Sequence, residues 1–246
     1  TVGPAAPVIV SVMDDVGTIT GAIQKGGVTD DNKPTINGTT EAGYTVRIYD
    51  GATLLGSVQA DAKGEWNFTP ATALADGTHN LTATATDSIG QVSKPTGIFD
   101  IIVDTMAPGK ITNLVVTDDV GAVTGPLKSG DVTDDATPTF SGKAEANGKV
   151  IIYDKGTAIG STTADANGDW SYTPATSLPD GSHEFSITVT DKAGNEGEAV
   201  AFNLDIDTTG VTVSITALID DVGAITGPIA QNGVTDDTRP EVTGKG

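Results

Sequence analysis

Carboxylates are the side chains of this sequence with chemistry to do: 26 of its 33 acids are Asp and 7 are Glu, and many of the Asp come in adjacent pairs. Asp14-Asp15-Val16-Gly17 recurs as Asp118-Asp119-Val120-Gly121 and again as Asp220-Asp221-Val222-Gly223. Val28-Thr29-Asp30-Asp31 recurs as Val132-Thr133-Asp134-Asp135 and as Val234-Thr235-Asp236-Asp237. Asp is a poor helix former and a good turn former, so these pairs belong to loops. Adjacent acids flanking a Gly-rich loop repel one another unless a counter-ion offsets their charge. Ca²⁺ fits that role: it takes about six to eight oxygens from carboxylates and loop carbonyls at relaxed geometry, whereas Mg²⁺ demands a stricter octahedron and more retained water. The competing reading is that the acids cap turns and keep the surface solvated.

Single acids extend the pattern. Glu41, Asp61 and Asp87 in the first copy match Glu145, Asp165 and Asp191 in the second, and Asp104 and Asp207 stand at the two junctions. Asp165-Ala166-Asn167-Gly168-Asp169 has oxygens at alternate positions, as half a calcium loop would. Its counterpart Asp61-Ala62-Lys63-Gly64-Glu65 places a Lys where it would oppose a cation, so a hairpin turn is expected there, with Asp61 and Asp165 kept as candidate ligands. Asp87 and Asp191 read equally as ligands and as turn formers. His79 and His183, each after an Asp-Gly, read as structural hydrogen-bonding groups.

The rest of the composition narrows the classes. A formal charge of −20 with a pI near 4.1 argues against phosphate backbones and anionic lipid surfaces as partners. With no cysteine, disulfides and thiolate chemistry are excluded. No apolar run approaches the roughly 20 residues that span a bilayer, and Thr1–Pro7 lacks a basic segment followed by an apolar one. No nucleophile is paired with a base, and any acid pair proposed for catalysis would recur in every copy, so no enzyme is expected.

The elements that must position these acids follow from the repeat. Trp66 and Trp170, Pro70 and Pro174, His79 and His183, and Asp87 and Asp191 are each 104 residues apart. The chain divides into repeat 1 at 1–107, repeat 2 at 108–209 and the start of a third at 210–246, which reads as cut short within a longer protein. Acids outnumber bases in each copy, by 12 to 5, 16 to 6 and 5 to 2, so acidity belongs to the repeat and not to a tail. Period-two alternation, as in Tyr44-Thr45-Val46-Arg47-Ile48-Tyr49 and Leu81-Thr82-Ala83-Thr84-Ala85-Thr86, predicts strands, and no stretch has sustained helical periodicity. In repeat 1 the strands are expected at Val8–Met13, Pro34–Gly38, Thr45–Tyr49, Leu54–Gln59, Trp66–Thr69, His79–Thr86 and Gly97–Val103. About seven strands per hundred residues make an all-β, immunoglobulin-like sandwich. Ile48, Leu55, Trp66, Phe68, Leu81 and Ile101 should form its core.

Taken in order, Asp-Asp-Val-Gly, Val-Thr-Asp-Asp, Asp-Ala-x-Gly-x-Trp, Leu-x-Asp-Gly-x-His, Thr-Asp-x-x-Gly and Val/Ile-Asp-Thr resemble the bacterial immunoglobulin-like repeats of giant secreted adhesins, biofilm-associated and RTX-type. The resemblance covers both full copies and the third as far as it runs. It implies a type I secreted, extracellular, calcium-stiffened rod of tandem sandwiches. Such a rod holds an adhesive tip away from the cell and meets host or biofilm surfaces through other parts of the parent protein. Its partners are then neighbouring repeats of the same chain, with no nucleic acid, no membrane insertion and a monomeric segment. In that topology Glu41, Asp61 and Asp87 gather at one end of repeat 1, while Asp14, Asp15, Asp30 and Asp31 gather near the other. Asp104, and on this reading Asp118, would face Glu145, Asp165 and Asp191. The alternative is a module that binds carbohydrate or protein through calcium, which wants exposed aromatics beside the cation.

Overall fold

The computed structural model describes residues 3–211, 213–224 and 226–245. Residues 1–206 make one compact unit and Asp207–Gly246 a second. Within the described residues every regular element is a strand.

Repeat 1 consists of β1 (Val8–Asp14), β2 (Gly21–Ile23), β3 (Gly27–Thr29), β4 (Thr35–Thr39), β5 (Thr45–Asp50), β6 (Thr53–Gln59), β7 (Glu65–Phe68), β8 (Gly77–Thr86) and β9 (Phe99–Val103). One sheet has the order β2-β1-β4-β7 and the other β3-β9-β8-β5-β6. The seven expected strands are present, with ends shifted by a residue or two. Two more, β2 and β3, lie in what reads from the sequence as one long loop. β2 folds back on β1, with Val12 opposite Ile23, and β3 crosses to the other sheet and runs parallel to β9, with Gly27 opposite Ile101. The Asp14–Asp31 segment is therefore stitched to both sheets.

Repeat 2 repeats the plan with β10 (Thr112–Asp118), β11 (Gly125–Leu127), β12 (Asp131–Thr133), β13 (Thr139–Lys143), β14 (Lys149–Asp154), β15 (Thr157–Thr163), β16 (Asp169–Tyr172), β17 (Gly181–Thr190) and β18 (Val200–Ile206). Its sheets run β11-β10-β13-β16 and β12-β18-β17-β14-β15. The β14–β15 hairpin turns on Lys155 and Gly156, whose φ values of 48° and 79° are both positive. That is the two-residue turn whose twist matches its strands.

Alternation along the strands builds the cores. In repeat 1, Ile48, Trp66, Leu81 and Ile101 are buried as expected, with Val12 and Ile36 beside them, and Leu55 and Phe68 pack at the edge. In repeat 2, Phe140 and Phe185 meet edge to face with centroids 4.8 Å apart. Each such side chain contributes roughly 1.5–3 kcal/mol on burial. The indole of Trp66 lies against Gly38 so closely that a methyl group there would overlap it and the Val8 carbonyl.

The second unit holds β19 (Ser214–Asp220), β20 (Gly227–Pro228) and β21 (Glu241–Lys245) in the order β20-β19-β21. Val242, the counterpart of the fully buried Ile36 and Phe140, is 58% exposed, and the described residues of this unit form one sheet with no second sheet facing it.

Candidate functional site

The paired acids are first of all loop locks. Asp14 is buried where β1 ends. Its Oδ2 accepts the Thr29 hydroxyl at 2.5 Å and its Oδ1 accepts the Val16 N–H at 2.9 Å. The Thr29 hydroxyl oxygen in turn accepts the Asp31 N–H at 3.1 Å, and Asp31 Oδ1 accepts the Lys33 N–H at 2.8 Å. The bond from Thr to the first Asp recurs as Thr133 to Asp118 at 2.5 Å and Thr235 to Asp220 at 2.6 Å. Asp135 and Asp237 likewise take the N–H groups of Thr137 and Arg239. Asp15, Asp119 and Asp221 are exposed. Asp30, Asp134 and Asp236 fold under Gly17, Gly121 and Gly223, where any side chain would collide with the carboxylate.

This placement corrects one expectation. Asp118 does not face the first junction: β10 carries it away from the linker to the far loop of repeat 2, where Thr133 and Val120 hold it. Asp165 is not at the junction cavity either. Its Oδ1 accepts the N–H groups of Asn167 and Asp169, both at 2.8 Å, and these bonds hold its carboxyl below the usual range. Asp61 makes the same turn with Lys63 and Glu65 and is lowered for the same reason. Asp207 is exposed and accepts the N–H and hydroxyl of Thr209.

Acids from both repeats do meet at the first junction. Asp104 of the linker, Glu145, Asn147 and Asp191 line one cavity of about 300 Å³ together with Val28, Ile102 and Lys192. Burial, then the Asp191 and Asp104 charges, push Glu145 above its ordinary value. Burial and the Asp14 charge raise Asp30, and Asp191 of the next repeat adds to the rise. Burial also raises Asp31, with the Asp15 and Asp14 charges adding to it. Asp30 Oδ1 is buried with no hydrogen-bond partner. Asp191 is better satisfied: its Oδ1 accepts the N–H groups of Ala193, Gly194 and Asn195, and its Oδ2 the Asn195 side-chain amide at 2.9 Å.

The donors available, carboxylates and an amide in a partly desolvated cavity, suit a hard dication. Among the described residues no three Asp, Glu or His side chains converge closely enough to form a ready-made metal site.

Direct contacts also cross the junction. Thr18 of repeat 1 donates its hydroxyl to the Gly194 carbonyl oxygen at 3.1 Å, and Asn195 donates its side-chain amide to the Asp104 carbonyl oxygen at 2.8 Å. Neither Thr18 nor Asn195 is singled out by sequence reasoning, since the partners are 176 and 91 residues away. The histidines are structural as expected: His79 sits between Asp50 Oδ2 and the Ala75 carbonyl, and His183 between Asp154 Oδ2 and the Pro179 carbonyl. At the other end of repeat 1, the Tyr44 phenol is raised by its hydrogen bond to Glu41, with the Glu41 and Asp87 charges adding to the rise.

The profile of the bacterial Ig-like domain family matches residues 6–105 and 110–208. No curated protein matches the chain. Among solved structures, the chain is similar to a tetra-tandem repeat in the extending region of a large adhesion protein, at 19% identity over 94% of this chain and 64% of that one, with a TM-score of 0.31. It is similar to the BSP domain of a biofilm-associated protein at 15% identity over 76% of this chain and 30% of that one, with a TM-score of 0.28. Fibronectin(III)-like modules of Clostridium thermocellum CbhA match at 18% identity over 79% and 92% of the two chains, with a TM-score of 0.44.

Proposed function

The chain belongs to the bacterial Ig-like domain family, and on that premise we propose that its repeats are a calcium-stiffened extender segment of a large bacterial surface adhesin. Such a segment works outside the cell, through the number and alignment of its domains, and holds an adhesive tip carried elsewhere in the parent protein. No helix among the described residues is long and apolar enough to cross a membrane.

The observation that carries the calcium part is the shared cavity: Asp104 from one side, Glu145 and Asp191 from the other, with Glu145 pushed up by burial and by those two charges. Asp104, Glu145, Asp191 Oδ2 and the Asn147 amide are the groups that would hold Ca²⁺. The ion would supply positive charge that turns mutual repulsion across the junction into cohesion. Asp30, with its orphaned oxygen and its sensitivity to Asp191, adds to the negative potential that attracts it.

Small-angle scattering in chelator and in millimolar calcium tests this reading. Calcium should reduce flexibility while the sandwiches stay folded, and identical profiles in the two conditions would overturn it.

One observation favours a second reading, a calcium-dependent carbohydrate module. Tyr44 is only half buried and stands beside Glu41 and Asp87, as a sugar platform next to a cation would. Calcium-dependent binding on a glycan array, lost in Tyr44→Ala, would establish it.

A further inference from the structure

Two turns at equivalent positions differ in one respect. In repeat 2 the turn after β17, Asp191–Asn195, is covered: Ala193 is 1% exposed and Gly194 is buried. The equivalent turn of repeat 1 after β8, Asp87–Gln91, carries Ile89 where repeat 2 has Ala193. The loop between β1 and β2 lies on the covered turn. A Cβ at Gly194 would sit 3.4 Å from Ile19 Cβ and Cγ1, so the missing side chain lets Ile19 approach. Thr18 bonds the Gly194 carbonyl from the same loop, and Asn195 reaches back to the Asp104 carbonyl while also holding Asp191 Oδ2.

The residue types are matched across this junction, and they do not recur at the loop of repeat 2 or the turn of repeat 1. The loop of repeat 2 carries Ala122-Val123 where repeat 1 has Thr18-Ile19, so it lacks the hydroxyl. The turn of repeat 1 carries Ile89-Gly90-Gln91 where repeat 2 has Ala193-Gly194-Asn195, so a bulky side chain replaces the small one under the loop.

We propose that Thr18-Ile19 and Ala193-Gly194-Asn195 form a protein-made clasp that sets the orientation of repeat 2 on repeat 1. The clasp supplies a knob, a socket and two hydrogen bonds, and none of these needs an ion. It deepens the stalk reading, on which it rests, by dividing the work at the junction. The clasp chooses the mean angle, and a cation between Asp104, Glu145 and Asp191 narrows the spread about that angle by removing repulsion. Both Asn195 hydrogen bonds tie the cation-facing Asp191 to the linker, so the two devices are coupled through one side chain.

The absence of cysteine makes the test direct. Thr53→Cys and Thr157→Cys, both at exposed positions, accept spin labels in repeat 1 and repeat 2, and pulsed dipolar spectroscopy reads the distance between them in the full chain. With the clasp intact, the distribution in chelator should be centred where it is in calcium and be broader. Adding Thr18→Ala, Ile19→Ser and Asn195→Ala should move the centre and broaden the distribution in both conditions. Unchanged amide spectra for β5 and β14 will show that both repeats remain folded. Distributions of the clasp variant that superpose on those of the parent would overturn the proposal, as would a parent with no preferred distance in chelator. Calcium uptake, measured separately by calorimetry, decides the cation reading alone: a chain that takes up no calcium but keeps its preferred distance in chelator retains the clasp and loses the stiffening.

Discussion

Thr29 donates its hydroxyl to Asp14 Oδ2 at 2.5 Å, joining the end of β3 to the end of β1, 15 positions earlier in the chain. Because both residues are buried, loss of the donor removes the Oδ2 partner of a carboxylate that keeps only the Val16 N–H at Oδ1. A hydrogen bond to a charged group contributes about 1.5–3 kcal/mol, so Thr29→Val should lower the stability of repeat 1 by that amount. Thr133→Val should do the same in repeat 2. Thr35→Val, which removes a bond between exposed hydroxyls of Thr35 and Thr69, is the control and should change little. Urea denaturation of the three variants checks this; equal effects would contradict the lock.

The two tryptophans make a second comparison. A methyl group at Gly38 would overlap the Trp66 ring and the Val8 carbonyl, whereas one at Gly142 would lie 3.0 Å from the Thr112 carbonyl oxygen and 3.2 Å from the Trp170 ring. Overpacking costs roughly 1–3 kcal/mol, so Gly38→Ala should fall in that range and Gly142→Ala below it. Melting curves that rank them the other way would show that the Trp66 site relaxes more readily than its spacing implies.

Glu145 should govern calcium uptake. Glu145→Gln removes one carboxylate from the junction cavity, so native mass spectrometry should count one ion fewer per chain, and Asp165→Asn should leave the count unchanged. Calcium at a hundredfold excess over its Kd would stabilise the folded chain by about 2.7 kcal/mol per site, an increment the Glu145→Gln chain should lack at this site. An unchanged ion count in Glu145→Gln removes Glu145 from the ligand set.

Asp165 has a distinct pH signature. The N–H bonds from Asp169 and Asn167 hold its folded pKa below the unfolded value. The stabilisation is therefore fully present above the ordinary carboxylate range and lost as pH falls through the depressed pKa. The gap in denaturation midpoint between the parent and Asp165→Asn should be widest near neutrality and close at acid pH. A gap that widens on acidification would reverse the assignment.

The strands and the core of this fold are largely written in the alternation of β5, β8 and their counterparts, and the repeat gives the division of the chain. β2 and β3 are not legible because each has only three residues and opens on Gly, and β3 is held by β9, a strand remote in sequence. The structure adds to the ligand reading of Asp14 and Asp31 a bonded Thr29 between them, and the sequence carries a signal of it, since the Thr recurs before the acid pair in all three copies. The end of the repeat that Asp118 reaches is set by the direction of β10, which the local sequence does not carry. Asn195 carries no local pattern, because its role depends on a carbonyl in another repeat.

The parallel pairing of β3 with β9 has a mechanical meaning. Asp104, the first linker residue, donates its N–H to the Thr29 carbonyl at 2.9 Å, so tension on the linker reaches β3 and β9 together. A pull along β9 loads the bonds of that ladder side by side in shear, and they must yield at once instead of peeling singly. Force-extension traces should therefore record one tall rupture for each full repeat, and a train of small steps would show that the load travels by another route.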